Sequence, residues 1–344
     1  MINIIFSNTL PLSSLHKKTI LLFTEDKKGE VLKYKNKIFA GAIVPYLIYN
    51  GKLYKSGYLV IDLFENVLKI SLFSLKEPFK FKFSKKAKSL FFLFDGFSIF
   101  SDYFFSCISG ITKFLNVFGG GCGSRFYYGF PNIFFKGKFY EDACLACELK
   151  KNFFINLFHG FKVKYASFSP TKISSYGREI LEINYEPALE YYKKIISKIE
   201  KKYINSISRD IFSRYPLGLI SYRKGVLIKD IIDINKERKS IKLASGVALY
   251  EPLSLLFANK EDLIFADKYF IEKNKIKTKY GFIFSCFSRK EILKKDMKKE
   301  ISLISKNFDI NFGFLSIGEL TNLGLGRNII YNKTNLLVGL EKCS

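Results

Sequence analysis

The chain has 344 residues, of which 48% are hydrophobic and 25% charged, and its 37 phenylalanines and 21 tyrosines exclude a disordered or collagen-like protein. Its length predicts two domains. The formal net charge is +25, yet only eight of the 56 basic residues are arginine, the residue on which base readout relies. We therefore expect no specific nucleic-acid partner.

The first predicted elements are apolar runs separated by turn signals. A continuous apolar run at 17–25 predicts a strand buried on both faces. Residues 37–64 contain two further strand-like runs, separated by the hairpin dipeptide Asn50-Gly51. A mixed or antiparallel sheet follows from this order.

A helix and a glycine-rich segment come next. Apolar residues from Ser98 to Leu115 occur at helical density, and residues 116–150 predict a strand end, a glycine-rich loop and a hairpin at Lys136-Gly137. We therefore expect the glycine-rich loop at the rim of a sheet.

The second half of the chain opens near residue 151 and mixes strands with amphipathic helices. The predicted strands are 153–164, 178–185, 214–234, 239–253 and 334–342, and the predicted helices are 188–207 and 287–307. The sequence therefore predicts an α+β fold of two domains, 17–150 and 151–342, with mixed, largely antiparallel sheets and flanking helices.

Cysteine usage and apolar runs give an expectation about compartment. The six cysteines make no disulfide framework, and Cys144 and Cys147 lie in a strand-like run whose positions three apart face opposite ways, so they predict no zinc site. The N-terminus lacks the pattern of a signal peptide, and charges interrupt the longest apolar run, 89–110. We expect a cytoplasmic protein without a membrane span.

The densest run of glycines is the first candidate site. Glycine lowers stability through chain entropy, so such a run indicates positive φ or a close approach, either in a tight turn between sheet layers or in a ligand-facing loop. The helix and Gly-Lys-Ser/Thr of a phosphate loop are missing. The run comprises Gly119, Gly120, Gly121, Cys122, Gly123 and Ser124.

His159, followed by Gly160, is the second candidate. It is one of two histidines and stands between aromatic residues, a setting typical of a hydrogen-bonded core histidine as well as of a ligand. The other histidine, His16, lies in a polar stretch and has little claim to a role.

Two short polar segments near the terminal strands are further candidates for ligand binding. Gly318-Glu319 supplies a carboxylate, and Asn332 with Thr334 supplies an amide and a hydroxyl, which are groups that can fix a small polar ligand. We expect these segments, His159 and the glycine run to line one cavity.

These segments together resemble a known family. GAIVPYLIY, FGGGCGS, FHGFKV, GREILEINYEPALEYY, YPLGL, SIGEL and YNKTNLL occur in the order of the FIST family, prokaryotic sensory proteins built of FIST N and FIST C domains. The resemblance implies an intracellular small-ligand sensor, with amino acids as the suggested ligands. It also implies output through a histidine kinase, chemoreceptor or cyclic-dinucleotide enzyme, and one branch resembles haem-binding nitric-oxide sensors.

The chain departs from the family pattern in two places. Ile173 stands where members tend to carry a threonine, with Thr171 only nearby, so we carry over no threonine role. The segment from Glu25 to Val31 replaces a longer helical stretch, so the first domain is expected to be somewhat shortened. We expect no attached output domain, so the signal would leave through a separate protein.

Three hypotheses stay open at this point. The first is a stand-alone, non-catalytic sensor with its ligand between the glycine run, His159 and the two polar segments. The second is a haem protein with His159 as the axial ligand, because neutral imidazole suits iron. The third is an enzyme with Cys122 as the nucleophile, for which His159 is the only base that can be assigned.

Overall fold

A computed structural model describes residues 2–125, 129–221, 225–274, 277–323 and 326–340. The helices are α1 Lys28–Lys33, α2 Ser101–Thr112, α3 Ala188–Glu200, α4 Arg209–Arg214, α5 Lys260–Asn274, α6 Arg289–Leu293 and α7 Met297–Ile304. The strands are β1 Asn3–Ser7, β2 Thr19–Phe23, β3 Ala40–Ile43, β4 Leu47–Tyr49, β5 Lys52–Tyr54, β6 Tyr58–Asp62, β7 Val67–Ser74, β8 Ser89–Asp95, β9 Asn116–Cys122, β10 Ile133–Phe135, β11 Lys138–Tyr140, β12 Ala143–Leu149, β13 Phe153–Phe158, β14 Lys162–Phe168, β15 Pro170–Ile173, β16 Glu179–Ile183, β17 Glu186–Pro187, β18 Leu217–Ser221, β19 Gly225–Lys229, β20 Ile231–Asn235, β21 Ser240–Leu243, β22 Leu253–Phe257, β23 Thr278–Cys286, β24 Phe308–Ser316, β25 Glu319–Thr321, β26 Ile329–Tyr331 and β27 Asn335–Leu340.

Three six-stranded sheets enclose a common core. Their strand orders are β1-β6-β2-β3-β10-β11, β26-β25-β9-β8-β12-β7 and β13-β27-β23-β24-β4-β5. The core between them is rich in phenylalanine, including Phe91, Phe118, Phe282 and Phe284, with ring centroids of neighbours 5.2–6.0 Å apart. Most pairings are antiparallel, and β2/β3, β8/β9 and β23/β24 are parallel, so the α+β prediction with mixed sheets is confirmed.

Strands from both halves of the chain share two of these sheets. The β4–β5 hairpin of the first half pairs through β4 with β24, and β25 of the second half pairs with β9. The two halves are therefore joined by hydrogen-bonded strands as well as by the covalent chain.

A second, smaller unit consists of two further sheets and two helices. The sheets have the orders β14-β22-β18-β19 and β15-β16-β21-β20, and α3 and α4 contribute to their core. The buried stripe of α3 includes Leu189, Tyr192 and Ile196, as its 3.6-residue period predicts.

Several local predictions are confirmed. Asn50-Gly51 and Lys136-Gly137 both have the positive φ of tight hairpin turns. Cys147 faces the common core, whereas Cys144 faces the core under α2, so the two thiols point to opposite sides of β12.

Two helical regions differ from the sequence-based expectation. The helix α5 was missed, because Phe265 and Tyr269 are exposed and blur the apolar period. The single helix expected over 287–307 is divided into α6 and α7 at Lys294, whose φ is 50°. No helix in the described ranges is both long and apolar enough to cross a bilayer.

Candidate functional site

The candidate site is a cavity of about 680 Å³ walled by residues from both halves of the chain. A volume of this size is typical of small-molecule sites, as is a mainly apolar wall with a few polar groups. Its apolar wall includes Phe94, Phe97, Ile99, Ile232, Leu243, Ala244, Phe287, Ile317 and Ile330. Its charged groups belong to Arg125, Arg178, Glu179, Arg209, Asp230, Lys242 and Glu291.

Arg178 is more enclosed than Arg209, another arginine of the cavity wall that forms an ion pair. Its guanidinium donates to Asp102 of α2 at 3.0 Å and to Ser101 at 3.4 Å, and its side chain is 17% exposed. Asp102 also accepts a hydrogen bond from the Gly246 amide at 3.4 Å. This cluster therefore connects α2 of the first half to the second half at the cavity wall.

Asn332 presents a free amide donor to the cavity. Its Oδ1 accepts from Ser245 at 2.9 Å, and its Nδ2 has no hydrogen-bond partner within the described part of the chain, although the residue is only 4% exposed. Lys229 donates to Ser245 at 3.4 Å and to the Gly246 carbonyl at 2.5 Å. Burial lowers the pKa of Lys229. The Asn332 side chain is therefore held by a hydrogen-bonded chain that runs from Lys229 through Ser245.

Asp230 supplies a buried carboxylate to the wall. Its partner is the buried ammonium of Lys333, 3.0 Å away. A buried charge of this kind is stable only when it is paired. The pair therefore links Asp230, between β19 and β20, to Lys333, which follows Asn332 on the short connection between β26 and β27.

Cys286 and Ser316 line the cavity, and Glu319 lies behind them. The Glu319 carboxylate accepts from Ser316 and from the Thr334 hydroxyl, both at 2.6 Å. Burial raises the pKa of Glu319 to about 8 and that of the Cys286 thiol to about 12. Both groups are therefore largely protonated at neutral pH.

The glycine run lies mostly within a strand and not in a loop. Gly119, Gly120 and Gly121 belong to β9 and are buried. A larger residue would not fit, since a Cβ at Gly121 would lie 1.9 Å from the Ile317 carbonyl oxygen and one at Gly120 would lie 2.8 Å from the Phe314 ring. The lack of a side chain at these glycines thus allows strands of both halves to pack closely. Gly123, just beyond the strand, is likewise outside the cavity wall, whereas Ser124 lines it and donates to Glu25.

Cys122 ends this strand and is fully buried. Its Sγ contacts the Gly120 carbonyl oxygen at 3.7 Å, and burial raises the pKa of the thiol well above its usual value. The thiolate that a cysteine nucleophile requires is therefore disfavoured here.

His159 lies beside a buried ionic cluster and not in the cavity wall. Its Nδ1 accepts from the Phe161 amide at 2.9 Å. Burial lowers the pKa of His159 to about 4, and the positive charge of Arg289 adds to this effect. Because Nδ1 accepts a hydrogen bond, the neutral ring carries its proton on Nε2 and has no free lone pair for a haem iron, so His159 does not fit the role of an axial ligand in this arrangement.

The cluster next to His159 is centred on Arg289 of α6. The fully buried guanidinium donates to Glu300, to Asp267, and to the backbone carbonyls of His159 at 2.8 Å and Lys333 at 2.9 Å. Burial and the neighbouring Glu300 raise the pKa of Asp267. The cluster is closed to solvent and ties α5, α6 and α7 to the connection that carries Asn332.

The structure therefore divides the residues that the sequence singled out. Ser124, Gly318 and Asn332 line the cavity, whereas Glu319 and Thr334 lie behind its wall. His159 and Gly160 border the closed cluster and α5.

Sequence reasoning missed the arginines of the wall. A signal was available, because arginine is scarce in this lysine-rich chain and each arginine is therefore conspicuous. The three in the wall are Arg125, Arg178 and Arg209.

The cavity, walled by both halves of an α+β chain, has the size and lining that are typical of proteins that bind small molecules. Comparison with family models matches the FIST N domain over residues 56–186 and the FIST C domain over residues 188–322. The chain therefore belongs to the FIST family, whose domains are sensory rather than catalytic and bind small ligands. No curated protein matches the chain.

Proposed function

We propose that this FIST protein senses a small metabolite with a carboxylate group, such as an amino acid, and that the cavity is its binding site. The proposal includes output through a separate signalling protein, such as a histidine kinase, a chemoreceptor or a cyclic-dinucleotide enzyme.

The distribution of basic residues carries the proposal. Among the described residues, three arginines line the cavity but only one lysine, Lys242, although the chain has 48 lysines and eight arginines. A random choice from the 48 lysines and eight arginines of the chain would give more lysines than arginines. Arginine presents a planar fork of donors that matches a carboxylate, and it is weakly hydrated, so it favours the recognition of an anion in an enclosed site.

The other groups of the wall suit the rest of an amino acid. The Arg178 guanidinium and the Asn332 amide would donate to the carboxylate, and the buried Asp230 carboxylate would receive the ammonium group. Phe97 and Phe287 offer apolar surface for a side chain.

Binding at Arg178 would also reach α2. A ligand carboxylate competes with Asp102 for the same guanidinium, and Asp102 belongs to the first turn of α2. A ligand shifts a conformational equilibrium only through different affinities for two states. The Arg178–Asp102 ion pair provides such a difference, because it is intact in one state and shared with the ligand in the other.

Calorimetric titration of the full chain with the twenty L-amino acids and their decarboxylated amines tests this function. We expect at least one amino acid to bind and its amine to bind at least about 10-fold more weakly, because the charge-assisted bonds are lost. Arg178→Lys should weaken binding about 10- to 100-fold, and the matched control Arg214→Lys, outside the cavity, should not. Absence of binding across the panel, or equal affinity in Arg178→Lys, would overturn the proposal.

A further inference from the structure

The outward side of α2 and of the turn after it is unusually apolar. The inward side, with Phe104, Phe105 and Ile108, packs on the sheet that contains β8 and β9. On the outward side, Tyr103 is 51% exposed, and Ile111 is 56% exposed. The α2 face consists of Tyr103, Ser106, Cys107, Gly110, Ile111 and Phe114, all exposed at helical spacing.

This face has no charged residue, although the chain carries 56 basic ones. The neighbouring Lys113 places its ammonium 4.7 Å from the centre of the Phe114 ring, at the edge of the face. A helix whose outer side only meets water is normally polar there, as α3 is with Lys194. On the α2 face, by contrast, the apolar Phe114 is 88% exposed. Such a surface is typical of a contact with another protein.

Gly110 at the centre of the face is not required by the chain's own packing. A Cβ added there would meet no atom within 4 Å, and its φ is not positive. Glycine inside a helix costs about 0.5–1 kcal/mol relative to alanine. An exposed glycine with no internal reason favours the close approach of a second helix.

We propose that the α2 face joins two copies of this chain through antiparallel packing of their α2 helices. A two-fold axis at the level between Ile108 and Ser109 places Tyr103 opposite Phe114 of the second copy, Ser106 opposite its Ile111, and Cys107 opposite its Gly110. Large residues then meet at both ends, and small residues meet at the centre. A single surface is thus self-complementary, as a two-fold contact requires.

The uncharged α2 face permits a second copy in spite of the net charge, and its area predicts a weak dimer. Each copy carries +25, so a contact between copies needs a surface without charge, which the α2 face provides. Its exposed side chains amount to about 500 Å² per copy, below the roughly 800 Å² of a standard interface. Phe79, 88% exposed on a turn packed against α2, adds to this area. We therefore expect reversible association that salt strengthens by screening.

Sedimentation equilibrium at about 0.05 and 0.5 M salt tests the proposal, with screening expected to tighten the dimer. The double variant Ile111→Glu/Phe114→Glu should weaken association about 100-fold, because it buries four carboxylates in the dimer. The matched control Phe265→Glu/Tyr269→Glu, on the exposed side of α5, should leave association unchanged. Only monomer up to about 1 mM, or a dimer sensitive to the α5 control alone, would overturn the proposal.

Crosslinking tests the geometry without a disruptive substitution. Cys107 is the exposed cysteine within the described residues, and the two Cys107 side chains would lie about 8–10 Å apart across the axis. In a Cys343→Ser background, a short bismaleimide should give a covalent dimer that Cys107→Ser abolishes. A sedimenting dimer that this reagent does not link would contradict the antiparallel α2 contact.

Discussion

Two polar clusters lie side by side in this protein, and both contain arginine and carboxylate groups. Around Arg289, every donor direction ends on Glu300, Asp267 or a backbone carbonyl, and no side chain of this trio is exposed. In the cavity wall, the Asn332 amide keeps a donor without a partner in the described part of the chain, and Arg178 stays partly accessible. The Arg289 donors are all used inside a cluster that is closed to solvent, although Asp267 Oδ2 has no hydrogen-bond partner among the described residues. Access of the donors to a ligand, and not the residue types, therefore separates the structural cluster from the candidate binding site.

Lys333 connects the two clusters. Its carbonyl accepts from Arg289 at 2.9 Å, and its ammonium pairs with Asp230 at 3.0 Å. The Arg289 cluster thus fixes the backbone of the short connection that carries Asn332 and Lys333, the partner of Asp230.

Arg289→Ala should have the largest effect on stability. It leaves the Glu300 carboxylate without its buried partner, so we expect a loss of about 3–5 kcal/mol in the free energy of unfolding. Urea denaturation measures this loss. A change below about 1 kcal/mol would contradict the assignment of this cluster as structural.

Glu319→Gln should remove a pH dependence of stability. The folded-state pKa of Glu319 is about 8 and thus above its usual value of 4.5, so its contribution to stability is present at low pH and is lost as pH rises. Between pH 6.5 and 8, the wild type should lose about 1 kcal/mol per pH unit, and the variant should not.

Denaturant titrations at several pH values measure the two slopes. The window above pH 6.5 also excludes a contribution from His159, whose pKa falls from 6.5 to about 4 on folding. That shift reduces stability only as pH falls below 6.5. Equal slopes in wild type and Glu319→Gln would show that the carboxyl does not hold its proton in the fold.

His159→Ala should destabilise the ligand-free protein by about 1–2 kcal/mol, because the Phe161 amide loses its acceptor. The stabilisation by ligand should be unchanged, since the ring does not line the cavity. Thermal melts with and without the best-binding amino acid measure both quantities. If the variant lost only the stabilisation by ligand and kept its ligand-free stability, His159 would be a residue of the binding site.

Arg178→Lys should have the smallest effect on stability, below about 0.5 kcal/mol, because its ion pair with Asp102 is partly exposed. The same denaturation assay as for Arg289→Ala measures it. A loss of several kcal/mol would make Arg178 a structural residue like Arg289 and remove the contrast between the clusters.

Local patterns made much of the fold predictable. Hairpins follow from Asn-Gly and Lys-Gly turns, buried strands from continuous apolar runs, and α3 from its apolar stripe. The sharing of sheets was not predictable, because the pairing of β25 with β9 depends on contacts about 200 residues apart in sequence.

The site was predictable only in part, for the same reason. Asn332 and Gly318 were singled out as short polar or flexible residues near terminal strands, and they line the cavity. Whether a polar residue lies buried behind the wall, as Glu319 does, or in the open wall depends on tertiary packing. Arg178 belongs to the GREILEINYEPALEYY segment, but that pattern does not show that its guanidinium faces a cavity, and Asp230 carries no local pattern.

Filling the cavity tests the central claim most directly. Ala244 lies in the wall, and Ala244→Phe would occupy space that the ligand needs. Calorimetric titration of this variant with the tightest-binding L-amino acid should show no binding, while the melting temperature of the ligand-free protein stays within a few degrees of wild type. Binding with unchanged affinity would contradict the assignment of the cavity as the sensory site.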